Sequence, residues 1–440
     1  MCGIVAAIAE RPVQSILIEG LKRLEYRGYD SAGIATLDQG EITRTRAQGK
    51  VAELESQLTA TRALQGIAHT RWATHGVPSV NNAHPHISGR FAVVHNGIIE
   101  NFESLKTQLT ASGYEFESET DTETIAHLLN HLSQTHDNFD AIVLAAITRL
   151  EGAFALAILD QQSPGVLWVA RKGSPLVIGV GHGEYFVGSD QLALLHVTDR
   201  FIFLEEGDCA RLTAQTIAIF DQESNAVDRD IVQATASNEQ TTKGHYRHFM
   251  EKEIHEQPDA VKATLQGRLS DHRILSGILG PNGDQLLEGA QAVQIVACGT
   301  SYHAGLVAKY WIEELVGIPC QVEIASEYRY RRVVTIPGTL WIAISQSGET
   351  ADVLSALRHI DGAHILATLA ICNVATSSLV RETDFALLTE AGPEIGVAST
   401  KAFTTQLTVL LLLSGLMAKM READGFEEQE FVGLLQSLPS

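Results

Sequence analysis

The chain has 440 residues, 45% apolar and 19% charged, and its 32 basic and 53 acidic side chains leave a formal net charge of −21. That length exceeds what one hydrophobic core serves and predicts two or three domains. The acidic excess argues against nucleic acid or an anionic membrane as the main partner, yet leaves room for a small anion held by local backbone dipoles. The five cysteines (2, 209, 298, 320 and 372) form no CxxC pair and no metal spacing. With Glu10 and Arg11 interrupting the apolar start, no secretory leader is expected, so the thiols read as reduced and the setting as cytoplasmic. The longest apolar run, Leu407 to Ala418, reads as a buried helix too short to span a bilayer.

Cys2 becomes the first residue once Met1 is trimmed, a step its small side chain favours. The chain end then carries a thiol of pKa about 8.5 beside an α-amine of pKa about 7.7–8.0. This is the N-terminal-nucleophile arrangement, in which the terminus itself serves as the base. The apolar run from Ile4 to Ile8 sets that terminus on a buried strand; the alternative is that Cys2 is incidental. From Pro12, apolar residues at Val13, Ile16, Leu17, Leu21 and Leu24 predict a helix with one buried face. The Gly- and Arg-rich loop 25–33 follows, either a simple turn or a wall returning toward the chain start.

Three further stretches carry chemistry. Residues 66–76 bring His69, Arg71 and Trp72 into a Gly-containing loop, where Arg71 suits bidentate capture of a carboxylate or is merely solvated. In the apolar strand 91–101, Asn96-Gly97 is either a hairpin turn or an amide and a backbone N–H aimed at a developing oxyanion. Thr120 and Glu123 stand at capping-box spacing before a helix, and Asp121 between them is placed to bind an ammonium. After residue 151, short strands separated by turn residues fit a layered sheet sandwich.

Cys2-Gly3-Ile4, Tyr26-Arg27-Gly28-Tyr29-Asp30-Ser31-Ala32-Gly33, His69-Thr70-Arg71-Trp72-Ala73-Thr74-His75-Gly76, His95-Asn96-Gly97 and Thr120-Asp121 together resemble the class II glutamine amidotransferases. Among these, the pattern is most similar to the glutamine–fructose-6-phosphate aminotransferase (isomerizing) family. The resemblance implies Cys2 as nucleophile, Asn96 and Gly97 as oxyanion hole, and Arg27 in the nucleophile's surroundings. It implies Arg71 and Asp121 on the α-carboxylate and α-amino group of glutamine, Thr74 and His75 lining the pocket, and Trp72 gating the exit of ammonia. The implied fold is an αββα sandwich over residues 1–240.

Apolar periodicity lapses over 221–244, so a domain boundary is expected near 240. A charged helical stretch follows, 246–257, stopped by Pro258; its three histidines (245, 248, 255) read as an exposed face rather than a metal site. Alternating strand and helix patterns then predict parallel βαβ units. Strand 292–297 runs into Cys298-Gly299-Thr300-Ser301 and strand 340–344 into Ser345-Gln346-Ser347-Gly348-Glu349-Thr350, each before a helix. Hydroxyls, a glycine and free N–H groups at a helix N-terminus suit a phosphate, although such residues also cap ordinary helices. These turns, with Val397-Ala398-Ser399-Thr400-Lys401, resemble the sugar isomerase (SIS) domain, a parallel α/β/α sandwich. Carried over, Ser345, Gln346, Ser347 and Thr350 hold the phosphate, Thr300, Val397 and Ser399 contact the sugar, and Ser301 is counted among the sugar-phosphate-binding residues.

The resemblance therefore implies a two-domain α/β and α+β enzyme, with a glutaminase at 1–240, a first SIS domain at 241–430 and a truncated linker at 431–440. A second SIS domain, with the isomerase groups, is expected to lie beyond this sequence. The expected substrates are L-glutamine and fructose 6-phosphate, with no cofactor, no metal and a homodimeric assembly. The alternatives are another class II amidotransferase, a sugar-phosphate-binding regulator with a silent glutaminase, and a protease of the N-terminal-nucleophile type.

Overall fold

An unbroken apolar run marks a strand covered on both faces, because successive side chains leave opposite sides. In β1 (Gly3–Ala9), Ile4, Ala6 and Ile8 enter one core while Val5, Ala7 and Ala9 enter another. The computed structural model describes residues 2–25, 28–72, 77–234, 243–280 and 283–440. The chain divides into two compact units, residues 1–238 and 239–440.

The first unit continues with β2 (Ser31–Asp38), β3 (Glu41–Gln48), β4 (Gln65–Arg71), β5 (His86–Ser88), β6 (Phe91–Ile99), β7 (Gly152–Asp160) and β8 (Leu167–Lys172). Then come β9 (Val177–Val180), β10 (Glu184–Gly188), β11 (Arg200–Phe203), β12 (Cys209–Leu212), β13 (Ile217–Phe220), β14 (Ala226–Val227) and β15 (Ile231–Gln233). They form two antiparallel sheets, ordered β15-β11-β9-β10-β1-β4-β2-β3 and β14-β13-β12-β8-β7-β6-β5. The inward residues of β1 meet Ala92 and Val94 of β6 and Ala155, Ala157 and Leu159 of β7 between the sheets. Helices α1 (Gln14–Leu24) and α2 (Val51–Ser56) cover the outer face of the first sheet. Helices α3 (Phe102–Ala111), α4 (Asp121–Leu132) and α5 (Phe139–Ile147) cover the second. The unit is an αββα sandwich. Its α1 buries Ile16, Leu17, Leu21 and Leu24, the stripe that the periodicity predicts.

The second unit holds one parallel sheet of β16 (Ala292–Ala297), β17 (Cys320–Ile324), β18 (Thr339–Ser345), β19 (Ile365–Cys372) and β20 (Phe385–Leu388), ordered β17-β16-β18-β19-β20. Helices α6 (Phe249–His255), α7 (Gln257–Leu265), α8 (Gly283–Gly289), α9 (Gly299–Leu315), α10 (Ala325–Tyr328), α11 (Ala351–Arg358), α12 (Ser378–Glu382), α13 (Lys401–Met420) and α14 (Glu428–Ser437) surround it. Val293, Ile295 and Ala297 of β16 pack with α7, α8, α9, α13 and α14, while Val296 packs with α10, α11 and α12 on the opposite face. This is a parallel α/β/α sandwich. The strand order reverses between β16 and β18, the place where an open α/β sheet leaves a crevice at its strand C-termini.

Three local expectations change. Pro258 does not stop a helix but sits in the first turn of α7, where its missing N–H costs no helical bond. The apolar run 407–418 belongs to a helix of 20 residues, long and apolar enough to cross a membrane by length and composition, with 67% of its most apolar window buried in the fold. Residues 431–440, expected as a truncated linker, hold most of α14 (Glu428–Ser437), whose Val432 and Leu435 are buried in the core of the second unit. Lys419 of α13 fastens Glu428 at 2.8 Å.

Candidate active site

Cys2 stands immediately before β1, between β4 and β10, with Gly3 opposite Thr70 and Val5 opposite Gly188. That double pairing removes the fraying usual at a chain start. The Sγ accepts a hydrogen bond from the Trp72 main-chain N–H at 3.3 Å. Burial pushes the Cys2 thiol up from its ordinary pKa; the Trp72 N–H and Arg71 pull it back, and Asp30 adds to the rise. A thiol held up in this way needs a base before it attacks.

Asn96 and Gly97 are not a hairpin turn. Both lie inside β6, opposite Ala155 and Phe154 of β7. The Asn96 side-chain Nδ2 donates to the Cys2 carbonyl at 3.1 Å, beside the atom that would attack. Gly97 has φ +128, and a Cβ there would meet the Ala153 carbonyl oxygen at 2.0 Å. No other residue fits that strand position.

Loop 28–30 closes one side of the same place. Asp30 N–H donates to the Arg71 carbonyl at 3.2 Å, and the Tyr29 ring stands edge-on to Trp72 with centroids 5.3 Å apart. Arg71 itself is buried at the end of β4, while Trp72 is 42% exposed. Asp121 opens α4 and accepts from the Ile99 N–H at 2.9 Å. The capping box expected around it does not form. The Thr120 hydroxyl bonds Ser118 and His86, and Glu123 reaches back to the N–H groups of Glu117 and Ser118 at 2.9 and 2.7 Å. Burial alone would raise the Glu123 carboxyl, but these bonds and His127 bring it down to about 2. Arg27, Thr74 and His75 lie outside the described residues.

In the second unit, the loop after β18 is held by its own hydroxyls. Ser345 Oγ lies 2.9 Å from Thr350 Oγ1 and accepts from the Gly348 N–H at 3.0 Å, and Ser347 Oγ accepts from the Glu349 N–H at 3.2 Å. Gly348 has φ +66, and a Cβ there would strike Ser377 Oγ at 2.1 Å. The loop after β16 is its neighbour, because Ala297 pairs with Ile344. Helix α9 begins at Gly299, so Thr300 and Ser301 stand in its first turn. The third segment carries Val397, 77% exposed, and leads into α13. Its Ser399 hydroxyl donates to Glu394 at 3.0 Å, and Glu394 also accepts from the N–H groups of Thr400 and Ala402.

Sequence reasoning passed over the residues that hold these pieces. Asn373 accepts from the Ala391 N–H, and its own N–H and Nδ2 reach the carbonyls of Gln346 and Gly392. Glu253 of α6 is buried and accepts from the N–H groups of Ile395 and Gly396 at 2.6 and 2.9 Å. Lys401, the last residue of the third segment and already in view in the sequence, pairs with Glu256 at 2.7 Å. No signal in the sequence marks Glu253, since a carboxylate binding backbone N–H groups more than a hundred residues away has no local spacing. Among the described residues, no group of three His, Cys, Asp or Glu side chains is placed to hold a metal.

Comparison with known proteins agrees with both halves. Residues 69–196 match the glutamine amidotransferase domain family and residues 286–414 the SIS domain family. The glutamine–fructose-6-phosphate aminotransferase (isomerizing) of Pseudomonas aeruginosa is 57% identical over 446 residues, covering 100% of this chain and 73% of that protein. Its counterpart in Escherichia coli is 55% identical over 444 residues, with the same coverages.

The chain belongs to the glutamine–fructose-6-phosphate aminotransferase (isomerizing) family.

A solved C-terminal domain of a glucosamine–fructose-6-phosphate aminotransferase from Francisella tularensis is 47% identical, covering 45% of this chain and 56% of that one, with a TM-score of 0.44. As in the aminotransferase family, this chain joins an N-terminal-nucleophile αββα unit to a SIS-type parallel unit.

Proposed function

We propose that this chain hydrolyses L-glutamine at Cys2 to glutamate and supplies the ammonia for the amination of fructose 6-phosphate to glucosamine 6-phosphate, a reaction whose isomerase half is incomplete in the residues of this chain. The observation that carries the reading is the Asn96 amide, inside a strand, at 3.1 Å from the main-chain carbonyl of Cys2 itself. After Met1 is removed, the Cys2 α-amine takes the thiol proton, and the thiolate attacks the side-chain amide carbon of glutamine. Asn96 Nδ2 and the Gly97 N–H stabilise the oxyanion, as preorganised donors do where charge develops. The C–N bond breaks as the ammonium returns its proton to the leaving nitrogen. Water then hydrolyses the thioester and releases glutamate. Arg71 and Asp121 hold the α-carboxylate and α-amino group, and Trp72 gates the departing ammonia. Arg27, Thr74 and His75 complete the pocket by family resemblance alone.

In the second unit, Ser345, Gln346, Ser347 and Thr350 bind the phosphate, and Thr300, Ser301, Val397 and Ser399 face the sugar. Two hydroxyl-rich turns at adjoining strand ends, at the point where strand order reverses, support this assignment. We assign residues 1–240 to the glutaminase, the remainder to one sugar-phosphate domain, and the working form to a cytoplasmic homodimer. Glutamate release by the purified chain, with and without fructose 6-phosphate, tests the reading; release that requires no Cys2 would overturn it. Light scattering tests the dimer, which a monomer at micromolar concentration would exclude.

A further inference from the structure

We infer that His69 is the positioning residue that orients the Asn96 amide, so that its NH2 and not its carbonyl faces the Cys2 main chain. The inference rests on the glutaminase reading of Cys2 and Asn96. His69 lies on β4, directly opposite Ile4 of β1, and is 0% exposed. Its Nε2 sits 3.0 Å from the His95 carbonyl oxygen and 2.9 Å from Asn96 Oδ1.

The main-chain carbonyl decides the protons. It has no hydrogen to give, so Nε2 carries one and shares it between the two oxygens in a three-centre bond. A protonated Nε2 accepts nothing, which forces the side chain of Asn96 to present its oxygen to His69. The amide is planar, so Nδ2 faces the other way, toward the Cys2 carbonyl at 3.1 Å. The orientation of Asn96 thus follows from the His95 carbonyl rather than from any assignment of its two similar atoms.

The surroundings keep the ring neutral. Burial is the main cause that brings His69 down to about 3, with His95 and Arg71 also opposing a second proton. The His84 ring packs against it at 4.1 Å between centroids, tilted by 34°. Nδ1 has no hydrogen-bond partner among the described residues, so a proton there would be a buried donor with nothing to meet. His84 and His95 in turn share the Thr122 hydroxyl at 2.7 and 3.0 Å. An unpositioned Asn96 would spend part of its time with Oδ1 toward the reacting carbonyl, where it repels the oxyanion.

Two measurements test the inference on the full chain. The first is 15N NMR of the imidazoles: His69 is expected as the neutral Nε2–H tautomer from pH 5 to 8, and an Nδ1–H or cationic ring would overturn the proposal. The second is a kinetic cycle on glutamate release with His69→Leu, His69→Gln, Asn96→Ala and the Leu/Ala double variant. His69→Leu is expected to lower kcat about tenfold, the worth of one buried hydrogen bond, with KM for glutamine within about twofold. His69→Gln, which keeps a donor, is expected to recover most of that loss. In the Asn96→Ala background, His69→Leu should change kcat by less than about twofold, because contacting groups that act through one another are not additive. Multiplying effects, or a His69→Gln variant as slow as His69→Leu, would show a structural role only. Failure of the wild-type chain to release glutamate would sink the glutaminase reading, while the tautomer would still decide the hydrogen bond.

Discussion

The two candidate sites are built from opposite materials. Around Cys2 the parts are buried side chains in a hydrogen-bonded series: His69 meets Asn96, His84 and His95 meet Thr122, His86 meets Thr120, and Asp121 accepts from the Ile99 N–H. Around Ser345 to Thr350 the parts are hydroxyls and backbone N–H groups at the first turns of α9 and α11. A reaction that develops charge on one oxygen is served by donors fixed in a water-poor place. A phosphate that has only to be held is served by helix N-termini and the N–H groups and hydroxyls around them. The contrast is one of material: buried side chains in the first unit, hydroxyls and backbone N–H groups in the second.

If that contrast holds, substitutions should separate the two functions. The largest effect is expected from Asn96→Ala, which removes one oxyanion donor and should lower kcat for glutamate release by about 100- to 1,000-fold. Fructose 6-phosphate binding, read by calorimetry, should be unchanged; a parallel loss of both would merge the sites and end the comparison. Next comes Ser347→Ala. It removes one hydroxyl from the phosphate loop and is expected to weaken fructose 6-phosphate binding about tenfold. Glutamate release measured without the sugar should stay at the parent rate, and a fall there would count against the division of labour.

A different kind of effect, on stability, belongs to the first unit. Burial is the main cause that brings His86 down to about 3 and His84 well below its ordinary value, as it does for His69. Their unfolded forms titrate near 6.5, so as pH falls below about 6.5 the unfolded chain takes up protons that the folded chain refuses. Stability is therefore full above pH 6.5 and drains between there and about 3. The slope is at most about 1.4 kcal/mol per pH unit for each histidine. Glu123, held at about 2, adds a loss in the same direction below about pH 4.3. Urea midpoints of the first unit should fall between pH 7 and 5, and a flat profile would mean that these rings titrate freely.

Much of this was legible in the residues, for reasons that differ by element. The 3.6-residue stripe of α1 and the two-sided run of β1 depend on period alone, and both stand as the pattern implies. The Asn96-Gly97 pair was ambiguous because the same dipeptide makes hairpins; only the register with Ala155 and Phe154 excludes the turn. Pro258 misled, since a proline that ends one helix and one that opens the next look alike in sequence. Thr120 and Glu123 kept the spacing of a capping box but bond elsewhere, because His86 and Ser118 arrive from outside the helix. His69 stood in view beside Arg71 and carried no mark of its role, which depends on the His95 carbonyl 26 residues on. Glu253 and Glu394 were hidden for the same reason: their partners are backbone N–H groups, which no side-chain pattern announces.

The central claim is that a freed Cys2 is the nucleophile and its own amine the base. Intact mass together with glutamate release, on the wild-type chain and on Cys2→Ala, tests it most directly. The expected result is a mass lacking Met1, with release that rises as pH climbs through about 7.7–8.0, because the amine must lose its proton to act. Cys2→Ala should reduce release at least about 1,000-fold, the scale on which loss of a nucleophile is felt. A chain that keeps Met1 while releasing glutamate, or release that survives Cys2→Ala, would contradict the account at its first residue.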